Sequence, residues 1–587
     1  MGTSIALVGA ELEENLGLRY IASALEHAGH RVHIVSFNAA SESPLVVRQI
    51  LQLAPRIVGL SMVFTGRAHE FCDLGQALRA AGWDGHLIAG GPFASFNSER
   101  LLQEFPAFDS IGISEGEEIM CALATHLSDL AEVPGICYRR SDGVIKTNPG
   151  KGNPENLDAL SFPRRTTFHS YFDKPIGSVL TSRGCWRDCA FCSIHAWYDR
   201  SGGGKRFRVR SVENLLAELK DLYFIHGVRI FNFQDDNFFV PNHERALARF
   251  QALRAGLREA GIGPIAIAIK ARPDSITRES VAVLDDLGLF RVFLGVENAS
   301  QAGLTHLNRR CVVEQVLEAL RILNEIDVHI AFNLLMFEPD TTMEDIQINL
   351  RFIERHLDNP FNFCRAEAYA GTGLERQLRA EGRLLGDYFG FDYRLKNPGP
   401  EAFHQIANFA FFDRNFSDHG LHYFNMQVDF YFQLLRRFHP ELITQTMRAC
   451  VRNFIKQTNL DTYECLCRIY DLVANGDPCD QVRIHAIAQE MRQHVDRRSL
   501  RLRVEGEQIL NLLTSSYENR RRPMMETEPA GEFFACGPAT PYLGLESISQ
   551  PRQDGGSRED VVTRLLFRTG ESPLPYDVFK RQVAPAA

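Results

Sequence analysis

Short apolar runs alternate with longer amphipathic stretches through the first two thirds of this chain. Residues 5–8 form a compact apolar run. Residues 16–29 follow with Leu18, Ile21 and Leu25 at helical spacing and Gly29 as a stop. The strand pattern recurs at 32–37, 57–62, 87–91 and 110–114, and a further helix is expected through Leu127. Strand–helix alternation of this kind predicts a doubly wound parallel sheet, which takes ligands outside the carboxyl ends of its strands. A small hairpin is expected at 134–139, turning at Ser141-Asp142-Gly143.

A second series begins with an apolar run at 176–181. Strands are predicted at 228–233, 265–270, 291–296, 329–336 and 364–369, with amphipathic segments such as 212–224 and 243–260 between them. Six strand–helix units fit a partial βα barrel, whose working residues sit at the carboxyl ends of the strands. Polar residues stand at those ends: Gln234, Asp235 and Asp236, then Arg272, Glu297, Asn333 and Tyr369. A lone polar residue there is most often a cap or turn residue. Several in one series point to a shared site. Beyond residue 385 the pattern becomes mainly helical, with helices expected at 429–435, 441–457 and 478–494. This part is expected to cap the barrel mouth and contact substrate. From Arg520 onward Pro, Gly, Ser and charge predict a flexible tail, with Gly555-Gly556-Ser557 within it.

The sharpest chemical signal is Gly184-Cys185-Trp186-Arg187-Asp188-Cys189-Ala190-Phe191-Cys192, directly after the first strand of the second series. Three close thiolates can hold three irons of a cubane cluster and leave the fourth iron open to a small molecule. Cys185, Cys189 and Cys192 with His195 also spell a Cys3His pattern that zinc accepts. A zinc knuckle does not call for the long strand–helix series that follows.

The C-x3-C-x2-C spacing resembles the signature of the radical S-adenosylmethionine (SAM) superfamily. The resemblance covers about residues 176–374, and its N-terminal match reaches back to the start of the chain. It implies a 4Fe-4S cluster on Cys185, Cys189 and Cys192, with Phe191 near the adenine of SAM. It places Gln234, Asp235 and Asp236 at the SAM amino group, although this segment departs from the family's Gly-Gly-Glu-like pattern. It implies Arg272 at the SAM carboxylate, Glu297 at the ribose, and Asn333 and Tyr369 at the ribose and adenine. The first 133 residues resemble the cobalamin-binding domain that precedes many such barrels, on the segments around Glu14 to Tyr20, Val58 to Ser61, Gly90-Gly91-Pro92 and Gly116-Glu117. Cobalamin contacts are thereby implied for Asn15, Leu16, Gly59, Ser61, Gly90, Gly91, Gly116 and Glu117. No Asp-x-His-x-x-Gly motif follows the first strand, so no histidine of that motif serves as lower ligand.

The fold expected from pattern and resemblance together is α/β. A doubly wound, Rossmann- or flavodoxin-like cobalamin-binding domain occupies 1–133 and a linker 134–174. A partial (βα)6 radical SAM barrel spans 175–384, a helical domain 385–519 and a tail 520–587. The implied activity is cobalamin-dependent methyl transfer from SAM to an unactivated carbon of a small molecule, secondary metabolites such as antibiotics being the expected setting. A radical rearrangement, cyclisation or oxidation without methylation is the alternative, and a non-catalytic cobalamin- or zinc-binding protein is the third reading.

Bulk composition narrows the partners. A net charge of -9 without a basic domain argues against nucleic acid. Thirteen cysteines in 587 residues do not make a disulfide scaffold. No signal segment opens the chain, and no run approaches the ~18 apolar residues of a membrane helix. A reducing cytoplasm is therefore expected, with a flavodoxin or ferredoxin as electron donor and no membrane partner.

Overall fold

The computed structural model describes residues 2–417 and 420–525. The first domain is a sheet of β1 (Ser4–Gly9), β2 (Arg31–Ser36), β3 (Ile57–Ser61), β4 (His86–Gly90), β5 (Ser110–Gly112), β6 (Ile136–Arg139) and β7 (Ile145–Thr147). Its order is β2-β1-β3-β4-β5-β6-β7. β1 to β5 run parallel, and the expected hairpin adds β6 and β7 antiparallel at the edge. The order reverses between β1 and β3, so the ligand-binding crevice of such sheets falls at their carboxyl ends.

Alternation along β1 explains the two layers. Ile5 and Leu7 face a core with Leu18, Leu25 and Leu123 from the Leu16–His27 and Gly116–Thr125 helices. Ala6 and Val8 face the opposite core, with Ile50, Phe71 and Leu101. A period of two in a strand buried on both faces requires apolar residues at every position, which is why this strand reads as a continuous run.

The second domain is also a seven-stranded sheet. Its edge hairpin joins β8 (Ser170–Tyr171) to β9 (Lys174–Val179). Next in the chain, β10 (Ser182–Arg183) and β11 (Arg208–Val209) pair with each other and bracket the cysteine loop. β12 (Ile230–Phe233), β13 (Ala266–Ala271), β14 (Leu289–Leu294), β15 (His329–Phe337) and β16 (Phe361–Arg365) then run parallel to β9. These six parallel strands are the expected partial barrel.

Two strand positions differ from expectation. β14 lies earlier than 291–296, because the chain leaves the strand at Gly295 and turns at Glu297, whose φ is +63°. β16 lies earlier than 364–369, since Asn362 interrupts the apolar signal of Phe361 and Phe363 without leaving the ladder.

The helical part departs further. The helix expected at 429–435 begins earlier, at Leu421, and the Pro398–Phe416 helix precedes it. Pro398 at the first helical position fits a helix start, where its missing N–H costs nothing. The Gln445–Ala474 helix is 30 residues long, and the Gln481–Met525 helix runs on through Arg520, where a flexible tail was expected to begin. Residues 526–587, with the expected Gly555-Gly556-Ser557 segment, lie outside the described residues.

Part of the region expected as a cap meets the carboxyl ends of the barrel, where Arg365 pairs with Asp392 and the Lys396 amide donates to the Pro339 carbonyl, and part packs elsewhere. Phe424 and Val428 of the Leu421–Phe438 helix pack with Ile230, Ala266, Ala268 and Phe290, at the amino-terminal halves of β12 to β14. These side chains face away from the barrel helices, so the bundle covers the inner face of the sheet. The Pro398–Phe416 helix closes the β16 edge, with Phe403 5.7 Å from Phe337 and Phe411 5.1 Å from Phe363. No helix among the described residues is long and apolar enough to cross a membrane.

Candidate active site

The cysteine loop leaves the sheet immediately after β9. Asp235, which follows β12, is fully buried and holds the exit. It accepts hydrogen bonds from the Thr181 amide (3.1 Å), the Thr181 hydroxyl (2.8 Å) and the Ser182 hydroxyl (2.5 Å). Its neighbour Asp236 accepts from the Gly184 amide at 3.1 Å. Gly184 has φ +80°, and a Cβ there would lie 1.9 Å from the Arg206 carbonyl oxygen, so the position before Cys185 requires glycine. The far side of the loop is tied down too. The Ala190 amide donates to the Leu307 carbonyl (2.9 Å) and the Leu374 amide to the Ala190 carbonyl (2.7 Å).

Cys189 is buried, while Cys185 and Cys192 are half-buried. Burial pushes the Cys185 thiol up and the Cys192 thiol to about 12, against backbone N–H donors at Arg187 and Ile194. The Cys189 sulfur accepts from two guanidinium groups, Arg272 at 3.4 Å and Arg309 at 3.3 Å. Two cationic donors on one sulfur suit a thiolate within an anionic cluster, so this donor set fits a 4Fe-4S cluster. Among the described residues no three His, Cys, Asp or Glu groups are gathered as for one metal ion. A cubane needs no such gathering, because each thiolate binds a different iron. His195, the fourth candidate zinc ligand, pairs instead with Asp199 at 3.6 Å. Phe191 packs beside the barrel core.

The other SAM candidates divide by occupation. Asp235 is spent on the loop exit. Asp236 is exposed in part, and its carboxyl is pushed up to about 6 by desolvation, with Lys270 opposing and Asp235 adding. Gln234 accepts from the Lys270 ammonium at 3.1 Å and donates to Glu13 of the first domain at 3.3 Å. The Arg272 guanidinium, expected at the SAM carboxylate, is filled by Asp274 (2.9 Å), the Arg309 carbonyl (2.5 Å) and Cys189, which leaves no free edge for a second carboxylate. Glu297 holds a left-handed φ beside Arg309, 3.7 Å away, and burial raises its carboxyl. A non-glycine residue in that region costs energy and is retained where the surroundings over-determine it. Asn333 accepts the Glu297 amide through its backbone at 3.1 Å, and the Tyr369 carbonyl accepts from Thr372.

Sequence reasoning missed Lys270 and Arg309. Lys270 is the exposed position in an otherwise buried strand, and that break in β13 was its signal. Arg309 sits in an Asn-Arg-Arg loop with no local signal.

The cobalamin candidates also divide. Asn15 caps the Leu16–His27 helix, accepting from the Leu18 amide at 3.2 Å, and Leu16 is buried in that helix. Gly59 lies mid-strand, where a Cβ would come 3.1 Å from Leu7 and 3.5 Å from Met120, so it serves core packing. Ser61 and Gly90 are paired at the carboxyl ends of β3 and β4. A Cβ on Gly90 would meet nothing within 4 Å, an open cradle that fits a bulky planar group. Gly91 has φ +96°, and a Cβ there would lie 2.8 Å from the Met62 carbonyl oxygen. A Cβ on Gly116 would sit 2.7 Å from Ile21, so this glycine lets two helices approach.

Glu117 faces the other domain. It pairs with Arg183 at 2.6 Å, and Arg183 also reaches Glu115 at 2.7 Å, with Arg208 on the same carboxylate at 2.7 Å. The cysteine loop is thus ion-paired to the carboxyl end of the first sheet.

Comparison with known proteins agrees with this geometry. The B12 binding domain family matches residues 3–124, and the Radical SAM superfamily matches residues 179–353. The hopanoid C-3 methylase of Methylococcus capsulatus is 28% identical over 413 residues, 67% of this chain and 75% of the methylase. The anaerobic magnesium-protoporphyrin IX monomethyl ester cyclase of Synechocystis is 27% identical over 326 residues, 53% of this chain and 62% of the cyclase. The solved structure of the cobalamin-dependent SAM radical enzyme OxsB with aqua-cobalamin bound shares the fold, with TM-score 0.61 and 17% identity over 89% of this chain and 81% of that one. The chain belongs to the radical SAM superfamily, in the branch that carries a B12-binding domain, and is an enzyme whose cofactors are a 4Fe-4S cluster, SAM and cobalamin.

Proposed function

We propose that this enzyme transfers a methyl group from SAM, by way of cobalamin, to an unactivated carbon of a small molecule. The observation that carries the reading is the bridge from Arg183, two residues before Cys185, to Glu115 and Glu117 at the end of the first sheet. It brings the open cradle at Gly90 and the cysteine loop to facing edges of two domains. Bound there, the cofactors supply radical formation and methyl carriage, while the protein orients them and excludes water. Asp236 and Lys270 offer opposite charges at the barrel mouth, suited to the ammonium and carboxylate of SAM. Cys185, Cys189 and Cys192 hold the cluster. A one-electron donor of flavodoxin or ferredoxin type supplies the electron.

Methylases among the relatives favour methyl transfer, while the cyclase relative keeps ring formation as the rival outcome. Anaerobically reconstituted enzyme, loaded with hydroxocobalamin and given methyl-labelled SAM and candidate substrates, separates them. Label in the product supports methylation. A converted substrate without label sinks it and favours the cyclase-like outcome.

A further inference from the structure

The three cysteine sulfurs are treated unequally. Cys185 and Cys192 accept backbone N–H groups, whereas Cys189 accepts from Arg272 and Arg309. Both arginines are 5% exposed. Each is also fixed by a second set of partners. Arg309 donates to the Gly295 carbonyl at 2.5 Å, and its flanking residues Asn308 and Arg310 both hold left-handed backbone, with φ of 51° and 50°. Strain on either side of one residue is retained where that side chain must reach a set place. Arg272 is clamped by Asp274, which also pairs with Arg187 at 2.7 Å.

The charges around this sulfur form two opposed couples. Arg309 has Glu297 as its counter-ion at 3.7 Å, and Arg272 has Asp274 at 2.9 Å. Reduction adds one negative charge to a cluster. Buried cations and N–H donors at a ligand sulfur favour the reduced form, and nearby anions oppose it.

We propose that Arg309 and Arg272 set the reduction potential of the cluster through Cys189, with Glu297 and Asp274 as the opposing weights. The inference rests on the reading that Cys185, Cys189 and Cys192 hold that cluster. Arg309 and Arg272 are positioning and tuning residues that act through the thiolate. Because Glu297 stands at the carboxyl end of β14, Arg309 also joins the SAM-facing edge of the barrel to the electron-accepting group. Occupation of that edge would then be felt at the cluster.

The test is a potentiometric titration of the full-length protein, reconstituted with iron and sulfide without cobalamin or SAM. Titanium citrate is the reductant, and the reduced cluster is read by EPR. Arg309→Gln is expected to lower the reduced-to-oxidised ratio at fixed potential at least tenfold, which is about 59 mV to the negative for one electron. Asp274→Asn frees the Arg272 charge and is expected to move the potential the opposite way. A ratio within twofold of wild type in both variants, with full iron content, overturns the proposal, and so do shifts of the same sign. If Arg309→Gln fails to load a cluster, Asp274→Asn decides alone, and the absence of a positive shift overturns it. Wild-type protein that binds no iron instead sinks the cluster reading beneath it.

Discussion

The first sheet ends its strands in Gly9, Ser61, Gly90 and Gly112, whereas the second is followed at its strand ends by Asp235, Asp236, Arg272 and Glu297. Both sheets are seven-stranded and mostly parallel, and both present their carboxyl edges to a shared interface. A corrin is broad and flat, so its edge of the protein must give up side chains. A cluster and a zwitterionic amino acid are compact and charged, so theirs must supply counter-charges and donors. One architecture meets these needs by subtraction at Gly90 in one domain and by addition in the other.

The contrast is broken most completely at the cysteines. Replacing Cys185, Cys189 and Cys192 together by Ala is expected to abolish iron binding and turnover while cobalamin retention on the first domain persists. The iron-to-corrin ratio after desalting reads this directly. Retained SAM cleavage would refute the assignment of these cysteines.

A large side chain at the open cradle probes the other edge. Gly90→Leu meets no atom at its Cβ, so folding is expected to be spared. Cobalamin retention should fall at least tenfold with iron content unchanged. Equal retention of corrin by wild type and variant would move the cobalamin site elsewhere.

Asp236 tests the charged edge through pH. Its carboxyl, ordinarily near 4, is pushed to about 6 by burial. In that window the folded chain holds more protons than the unfolded one, so stability declines as pH rises from about 4 to about 6 and stays lower above. Asp236→Asn removes the ionised group. The Tm of the unloaded variant should exceed wild type at pH 7 to 8, with the gap closing toward pH 4, and SAM affinity should drop. A variant less stable than wild type across that range contradicts the assigned direction.

Gly59→Ala gives the smallest effect and acts as a control. Its Cβ presses on the Leu7 side chain, and overpacking of this size costs about 1 kcal/mol, the low end for an added core methyl whose neighbour is a flexible side chain. A Tm lower by a few degrees with unchanged cobalamin retention separates packing glycines from cradle glycines. Selective loss of corrin would place Gly59 at the ligand after all.

The sequence revealed both sheets because buried parallel strands are short apolar runs, visible without knowledge of their partners. It also exposed the cysteine loop, whose ligands lie within eight residues of one another. What it hid depends on contacts across the chain. Arg309 meets Cys189 from 120 residues away, and Asp235 turns out to anchor Thr181 from a distance of 54. Glycine motifs alone do not distinguish Gly59, which faces Leu7 and Met120, from Gly90, which faces open space. The bundle's seat on the inner face was equally hidden, since the aromatics of the Leu421–Phe438 helix read the same whichever surface they cover.

The tie between the domains has a consequence for protein engineering. Glu14 reaches across to accept the Ser178 amide of β9 at 2.7 Å and pairs with Arg165 of the linker at 2.9 Å, while Arg165 also holds Glu218 at 2.7 Å. A graft made at the linker, swapping the first domain for a foreign one, would strand the Ser178 amide and remove one anion from a buried guanidinium. Chimeras of this enzyme therefore need to carry residues 11–19 along with the barrel, so that the unit of exchange is larger than the domain.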